Sequence, residues 1–112
     1  MSYKEITSAD EWNTLFDNST DRPLVIFKHS TTCPVSANAL QEFNNYLDGA
    51  PREDVEYALV KVIESRPVSN QIAEDTAVKH ESPQIIYIDK KAKVWTASHW
   101  SVTKAHISAV LD

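Results

Sequence analysis

The residue best suited to chemistry is Cys33, the only cysteine of the chain. It lies in His29-Ser30-Thr31-Thr32-Cys33-Pro34-Val35-Ser36, where an apolar run ends and a helical pattern begins. Pro34 suits the first position of a helix, where its missing N–H costs nothing, and this makes Cys33 the N-cap. The first N–H groups of a helix have no intrahelical partners, and with the positive end of the helix dipole they favour a thiolate over a neutral thiol. Such a setting lowers a cysteine pKa from about 8.5 into the range of roughly 3.5–7.5. The chemistry expected is nucleophilic sulfur exchange.

Ser36 stands one helical turn further on, where a dithiol protein would carry its resolving cysteine. Its hydroxyl cannot form a disulfide, though it could donate a hydrogen bond to the thiolate. A mixed disulfide on Cys33 must therefore be resolved by an external thiol. The bland alternative is a buried structural cysteine. The polar neighbours Ser30, Thr31 and Thr32 argue against it, as does the position at the carboxyl end of a strand, where open α/β sheets place their sites. Lys28 and His29 lie close in sequence, and strand direction decides whether either faces the sulfur.

Ser82-Pro83 is the second candidate element. A proline between a helix and a strand reads first as a breaker. A cis bond there would instead make a tight turn that holds backbone groups beside the sulfur. An exposed N–H and C=O would then bind a cysteine-containing substrate as an added strand. Arg66, Lys28 and Lys79 are candidate partners for substrate carboxylates, each weighed against an ordinary surface charge. His29, His80, His99 and His106 have no spacing that gathers them with Cys33 into a metal site, and none is expected. No feature marks any of them as the general base of a cysteine–histidine hydrolase. Trp95 and Trp100 are expected to pack in the sheet and against the last helix, with one able to edge a substrate groove.

These groups need a scaffold, and its elements read as follows. Residues 3 to 6 form a short strand, and Ser8-Ala9-Asp10-Glu11 caps a helix with Trp12, Leu15 and Phe16 on one face. Leu24 to Phe27 is a continuous apolar run, as in a strand covered on both faces. The helix opened by Pro34 carries Leu40, Phe43 and Leu47, and Gly49 with Pro51 ends it. Val55 to Ile63 is a second interior strand. Ser65-Arg66-Pro67 opens a helix running to about His80. Ile85 to Ile88 and Val94 to Ala97 make an antiparallel pair across a short turn. Ser101 caps a last helix with Ile107, Val110 and Leu111 facing inward. The order β-α-β-α-β-α-β-β-α implies an α/β protein, one domain over residues 1–112, with a central mixed sheet flanked by helices.

The chain has 112 residues, 42% hydrophobic, with a formal net charge of -5. An acidic chain without clustered Lys and Arg is not expected to bind nucleic acid. No 18-residue apolar run suggests a membrane span, and no signal peptide is visible, so a cytoplasmic location is expected.

The element order, the Cys33-Pro34-Val35-Ser36 helix opening and the Ser82-Pro83 turn together resemble the thioredoxin fold. Three stretches narrow this: Thr32-Cys33-Pro34-Val35-Ser36, Arg66-Pro67-Val68-Ser69 continuing to Ile72-Ala73, and His80-Glu81-Ser82-Pro83-Gln84. On these the chain resembles the monothiol bacilliredoxins of the bacillithiol system (the YtxJ family) over essentially its whole length. The resemblance implies that Cys33 is the redox nucleophile, assisted by Ser36 and faced by Pro83 as a cis-proline. Thr32, Pro34, Val35 and Arg66 would contact substrate, and Ser82 would supply substrate-binding backbone. It further implies removal of bacillithiol from mixed disulfides on client proteins. Bacillithiol, a thiol with cysteine, glucosamine and malate units, would be the co-substrate, with no tightly bound cofactor. S-bacillithiolated clients, bacillithiol and a partner reductase would be the partners. The competing readings are a redox-inactive binding or adaptor protein of the same fold, and an iron–sulfur carrier like the monothiol glutaredoxins. The glycine before proline that those glutaredoxins carry is absent here.

Overall fold

The structure, a computed structural model, describes residues 2–112. The elements are β1 (Lys4–Glu5), α1 (Ala9–Asn18), β2 (Leu24–His29), α2 (Pro34–Asp48) and β3 (Glu56–Lys61). They continue with α3 (Arg66–Thr76), β4 (Gln84–Asp89), β5 (Ala92–Ser98), a 3-10 turn over His99–Ser101 and α4 (Lys104–Leu111). The strands form one sheet in the order β1-β3-β2-β4-β5. β1, β3 and β2 run parallel, while β4 is antiparallel to β2 and β5 antiparallel to β4.

Alternation along β2 shows why its run is apolar throughout. Val25 and Phe27 face a layer with Phe43 and Leu47 of α2 and Ile107 of α4. Leu24 and Ile26 face the opposite layer with Trp12 of α1 and Val68 and Ile72 of α3. Side chains of successive strand residues point to opposite faces, so a strand covered on both must be apolar at every position. At the start of α1, Ser8 Oγ accepts the Glu11 N–H (3.2 Å) and the Glu11 carboxylate accepts the Thr7 N–H (3.0 Å). The first bond satisfies an N–H that the first turn leaves orphaned, and the second ties down the residue before the cap.

The strand ends differ from the sequence expectation by one or two residues, and two helix boundaries differ as well. Helix α3 ends at Thr76 rather than near His80, because Ala77 turns into the left-handed region (φ 56°) and the chain then buries Val78. The N-cap of α4 is Thr103, whose Oγ1 accepts the His106 N–H (3.1 Å). Ser101 belongs to the preceding turn instead, and its carbonyl faces His106 Nδ1 at 3.1 Å. Ala77, Lys90, Lys91 and His99 take the left-handed conformations that glycine usually supplies. Gly49, the one glycine, has φ -84°. Among the described residues no helix is long and apolar enough to cross a membrane.

Candidate active site

Sheet direction brings the two candidate elements to one end. β2 runs out into the Cys33 loop, and β4 begins there because it is antiparallel, with Lys28 registered on Gln84. That register sets Ser82-Pro83 opposite His29-Ser30. The Ser82–Pro83 bond is cis. The Pro83 carbonyl accepts the His99 N–H at 2.9 Å, whereas no hydrogen bond among the described residues uses the Ser82 N–H or C=O. Those two groups are free to pair with a substrate backbone.

Cys33 is partly exposed and is the N-cap of α2, with Pro34 at the first helical position. Its sulfur makes no capping hydrogen bond, a departure from the expectation that the helix N–H groups point at it. The N–H groups of Val35 and Ser36, at the second and third helical positions, have no intrahelical acceptor. They are the donors nearest to hand for a developing thiolate. Beside Cys33 in the chain, Thr32 and Pro34 are exposed and Val35 is half-buried.

Ser36 is fully buried, and its hydroxyl serves a different purpose from the one expected. Ser36 Oγ accepts the Ser30 N–H (2.9 Å) and lies 2.8 Å from His29 Nδ1. The Ser36 hydroxyl is thus held between the Ser30 N–H and the His29 ring, and the direction of the His29 contact follows the tautomer of that ring. β2 turns His29 onto the α2 face, where its ring meets the hydroxyl. Thr31 Oγ1 donates to the Glu64 carboxylate (3.0 Å), and the Cys33 N–H reaches the Ser30 carbonyl (3.3 Å). The loop that carries the thiol is thus tied down on both sides. Ser36→Ala is expected to leave the Ser30 N–H and His29 Nδ1 unpaired and to cost about 1–3 kcal/mol, read as a lower urea midpoint at unchanged m value.

Lys28 is neither a surface charge nor a substrate ligand. It is fully buried, its Nζ donates to the Ser69 carbonyl (3.0 Å) and lies 3.2 Å from His80 Nδ1, and burial pushes its pKa down to about 8. Lys79 is exposed, with its carbonyl accepting from Gln84 Nε2 (3.0 Å). Arg66 is exposed at the first position of α3 and forms no ion pair among the described residues, which leaves its guanidinium open to an anionic ligand. Trp95 packs against the core and sets its ring edge-on to His106 at 4.9 Å. Trp100, expected to pack, is 66% exposed in the turn tethered to Pro83.

None of the four histidines is hydrogen-bonded to Cys33: His29 faces Ser36, His80 faces Lys28, His99 pairs with Glu81 (3.8 Å) and His106 faces Ser101. Among the described residues no three His, Cys, Asp or Glu side chains gather as a metal-ligand set. The engagements of His29 and His80 carried no sequence signal, since each depends on which face of a strand or turn meets which helix.

Burial, foremost, holds His29 and His80 below the usual histidine pKa, aided by Lys61 near His29 and by Lys28 and Arg66 near His80. Just below about pH 6.5, the unfolded value, the unfolded chain therefore binds more protons than the folded one. This contribution to stability is complete above that pH and is lost as pH falls through the folded values. The denaturation midpoint is expected to be lower at pH 5.5 than at 7.5, with His29→Asn reducing the difference; equal wild-type midpoints would contradict it.

A family model described as monothiol bacilliredoxin BrxC matches residues 4–107. The chain belongs to the monothiol bacilliredoxin family. Among solved structures, this bacilliredoxin is similar to one described as a candidate oxidoreductase with a thioredoxin fold (30% identity, TM-score 0.85, covering 98% of this chain and 94% of that one). It also shares the fold of a thioredoxin from Malassezia sympodialis (20% identity, TM-score 0.77, 98% and 88% covered) and of Fasciola hepatica thioredoxin (14%, 0.74, 96% and 95%). A bacilliredoxin with a single cysteine on this fold is suited to a thiol redox role.

Proposed function

We propose that this bacilliredoxin removes bacillithiol from mixed disulfides on client proteins by taking it onto Cys33. The observation that carries the reading is Ser36: the residue in the resolving position is a fully buried, hydrogen-bonded hydroxyl, and no second thiol exists in the chain. The Cys33 thiolate attacks the bacillithiol sulfur of the client disulfide. A new sulfur–sulfur bond forms to Cys33, the old one breaks, and the client cysteine leaves as a thiolate that takes a proton from water. A second bacillithiol thiolate then attacks the bacillithiol sulfur on Cys33, releasing bacillithiol disulfide and regenerating the Cys33 thiolate. A partner reductase returns that disulfide to thiols.

Direction matters in the first step, because attack on the client sulfur would tie the two proteins together. The free Ser82 backbone groups support strand-like alignment of the client segment, and the unpaired Arg66 guanidinium supports recognition of the malate carboxylates. With no resolving thiol in the chain, stoichiometry tests the cycle. In excess bacillithiolated client and no added thiol, turnover is expected to stop at one equivalent of restored client per protein, and to continue when bacillithiol is supplied. Several turnovers without a thiol would contradict the monothiol cycle.

A further inference from the structure

We infer that Lys28 is a positioning residue for the Ser82–Pro83 turn, anchoring it from beneath through His80. For its kinetic consequence this rests on the debacillithiolation reading; for the anchor itself it does not. After α3 ends, the chain reaches β4 through residues 77–83, and the substrate-binding turn lies beyond the sheet's last registered pair. Few contacts fix that segment. Val78 and Pro83 are buried, Gln84 Nε2 donates to the Lys79 carbonyl, the Pro83 carbonyl accepts the His99 N–H (2.9 Å), and Glu81 pairs with His99. The contact from the interior of the sheet is the one from Lys28 Nζ to His80 Nδ1, with Ser69 Oγ a weaker neighbour of the same nitrogen at 3.5 Å.

Lys28 is costly where it stands. Leu24 and Ile26, the other residues of β2 facing the α1–α3 layer, are apolar, and no carboxylate lies within ion-pair distance of the amine. A buried ammonium needs acceptors to offset its lost hydration. It finds two, the Ser69 carbonyl on α3 and the imidazole of His80. An ammonium has no lone pair, so His80 must be neutral at Nδ1 to accept. Protonating His80 removes that acceptor and sets a second positive charge 3.2 Å from the first. The charged groups around His80 are Lys28 on β2 and Arg66 on α3, which oppose the imidazolium, and Glu81 beside it, which favours it. Glu81 is itself paired to His99 of the turn after β5. Acidification therefore releases the anchor and loosens the turn that meets the client.

The test has two arms. In the first, the His80 ring signals are titrated by NMR in the wild type and in Lys28→Met. Removing the ammonium is expected to move the His80 midpoint upward, toward about 6.5. An unmoved midpoint overturns the anchor. In the second, KM and kcat for the bacillithiolated client are measured from pH 5.5 to 7.5. The wild-type KM is expected to rise about threefold or more on acidification, with a smaller change in kcat. His80→Gln, which offers an acceptor that does not titrate, is expected to flatten that rise; an identical rise in this variant overturns the inference even if Lys28→Met does not fold. A wild type that transfers no bacillithiol at any pH overturns the proposed function instead, and the NMR arm still decides the anchor.

Discussion

Cys33→Ser is expected to abolish bacillithiol transfer, lowering the rate of client restoration by about a thousandfold or more. The attacking species is a thiolate, and a serine hydroxyl at neutral pH supplies no comparable nucleophile. No other thiol in the chain can substitute. The same change should leave the fold intact, because the Cys33 side chain makes no capping hydrogen bond to lose and serine is among the preferred N-cap residues. Thermal denaturation of Cys33→Ser is therefore expected to match or exceed the wild type while free client thiol stays at background. Residual transfer within tenfold of wild type would remove Cys33 from the mechanism.

The largest loss of stability is expected from Phe43→Ala. Phe43 lies mid-way along α2 and is fully buried, with its ring stacked on Phe27 of β2 at 5.3 Å and tilted against Tyr57 of β3 at 6.3 Å. It pins to the sheet the helix whose N-terminus holds the thiol. Truncating a buried phenylalanine costs about 3–5 kcal/mol, from lost transfer energy and an unfilled cavity. For a domain of this size that lowers Tm by roughly 10 °C or more. Calorimetry checks it, and a fall under about 1 kcal/mol would mean that α2 is held mainly by other contacts.

Much of this arrangement is legible in the sequence, for identifiable reasons. Pro34 after Cys33 marks a helix start by its fixed φ and missing N–H, and the unbroken run from Leu24 to Phe27 marks a strand covered on both faces. Ser36 in place of a second cysteine reveals the absence of internal resolution. Where its hydroxyl goes is not legible, because that depends on β2 presenting His29 to the α2 face. That Lys28 is neither a carboxylate partner nor a surface charge is not legible for a related reason: a buried lysine is rare, and only the packed α3 and the 77–83 segment supply its acceptors. The cap of α4 moved from Ser101 to Thr103 because both residues suit a cap and the 3-10 turn decides between them. Left-handed Lys90 and Lys91 escape notice for want of a glycine.

Movement of one bacillithiol from client to Cys33 is read by intact mass spectrometry. Purified protein is mixed with one equivalent of a bacillithiolated model client, quenched with acid and weighed, and the adduct is mapped by peptide sequencing. A gain of one bacillithiol is expected on the peptide containing Cys33, matched by its loss from the client. An unmodified protein beside a still-modified client would contradict it, leaving a thioredoxin-shaped binding protein whose sulfur takes no part.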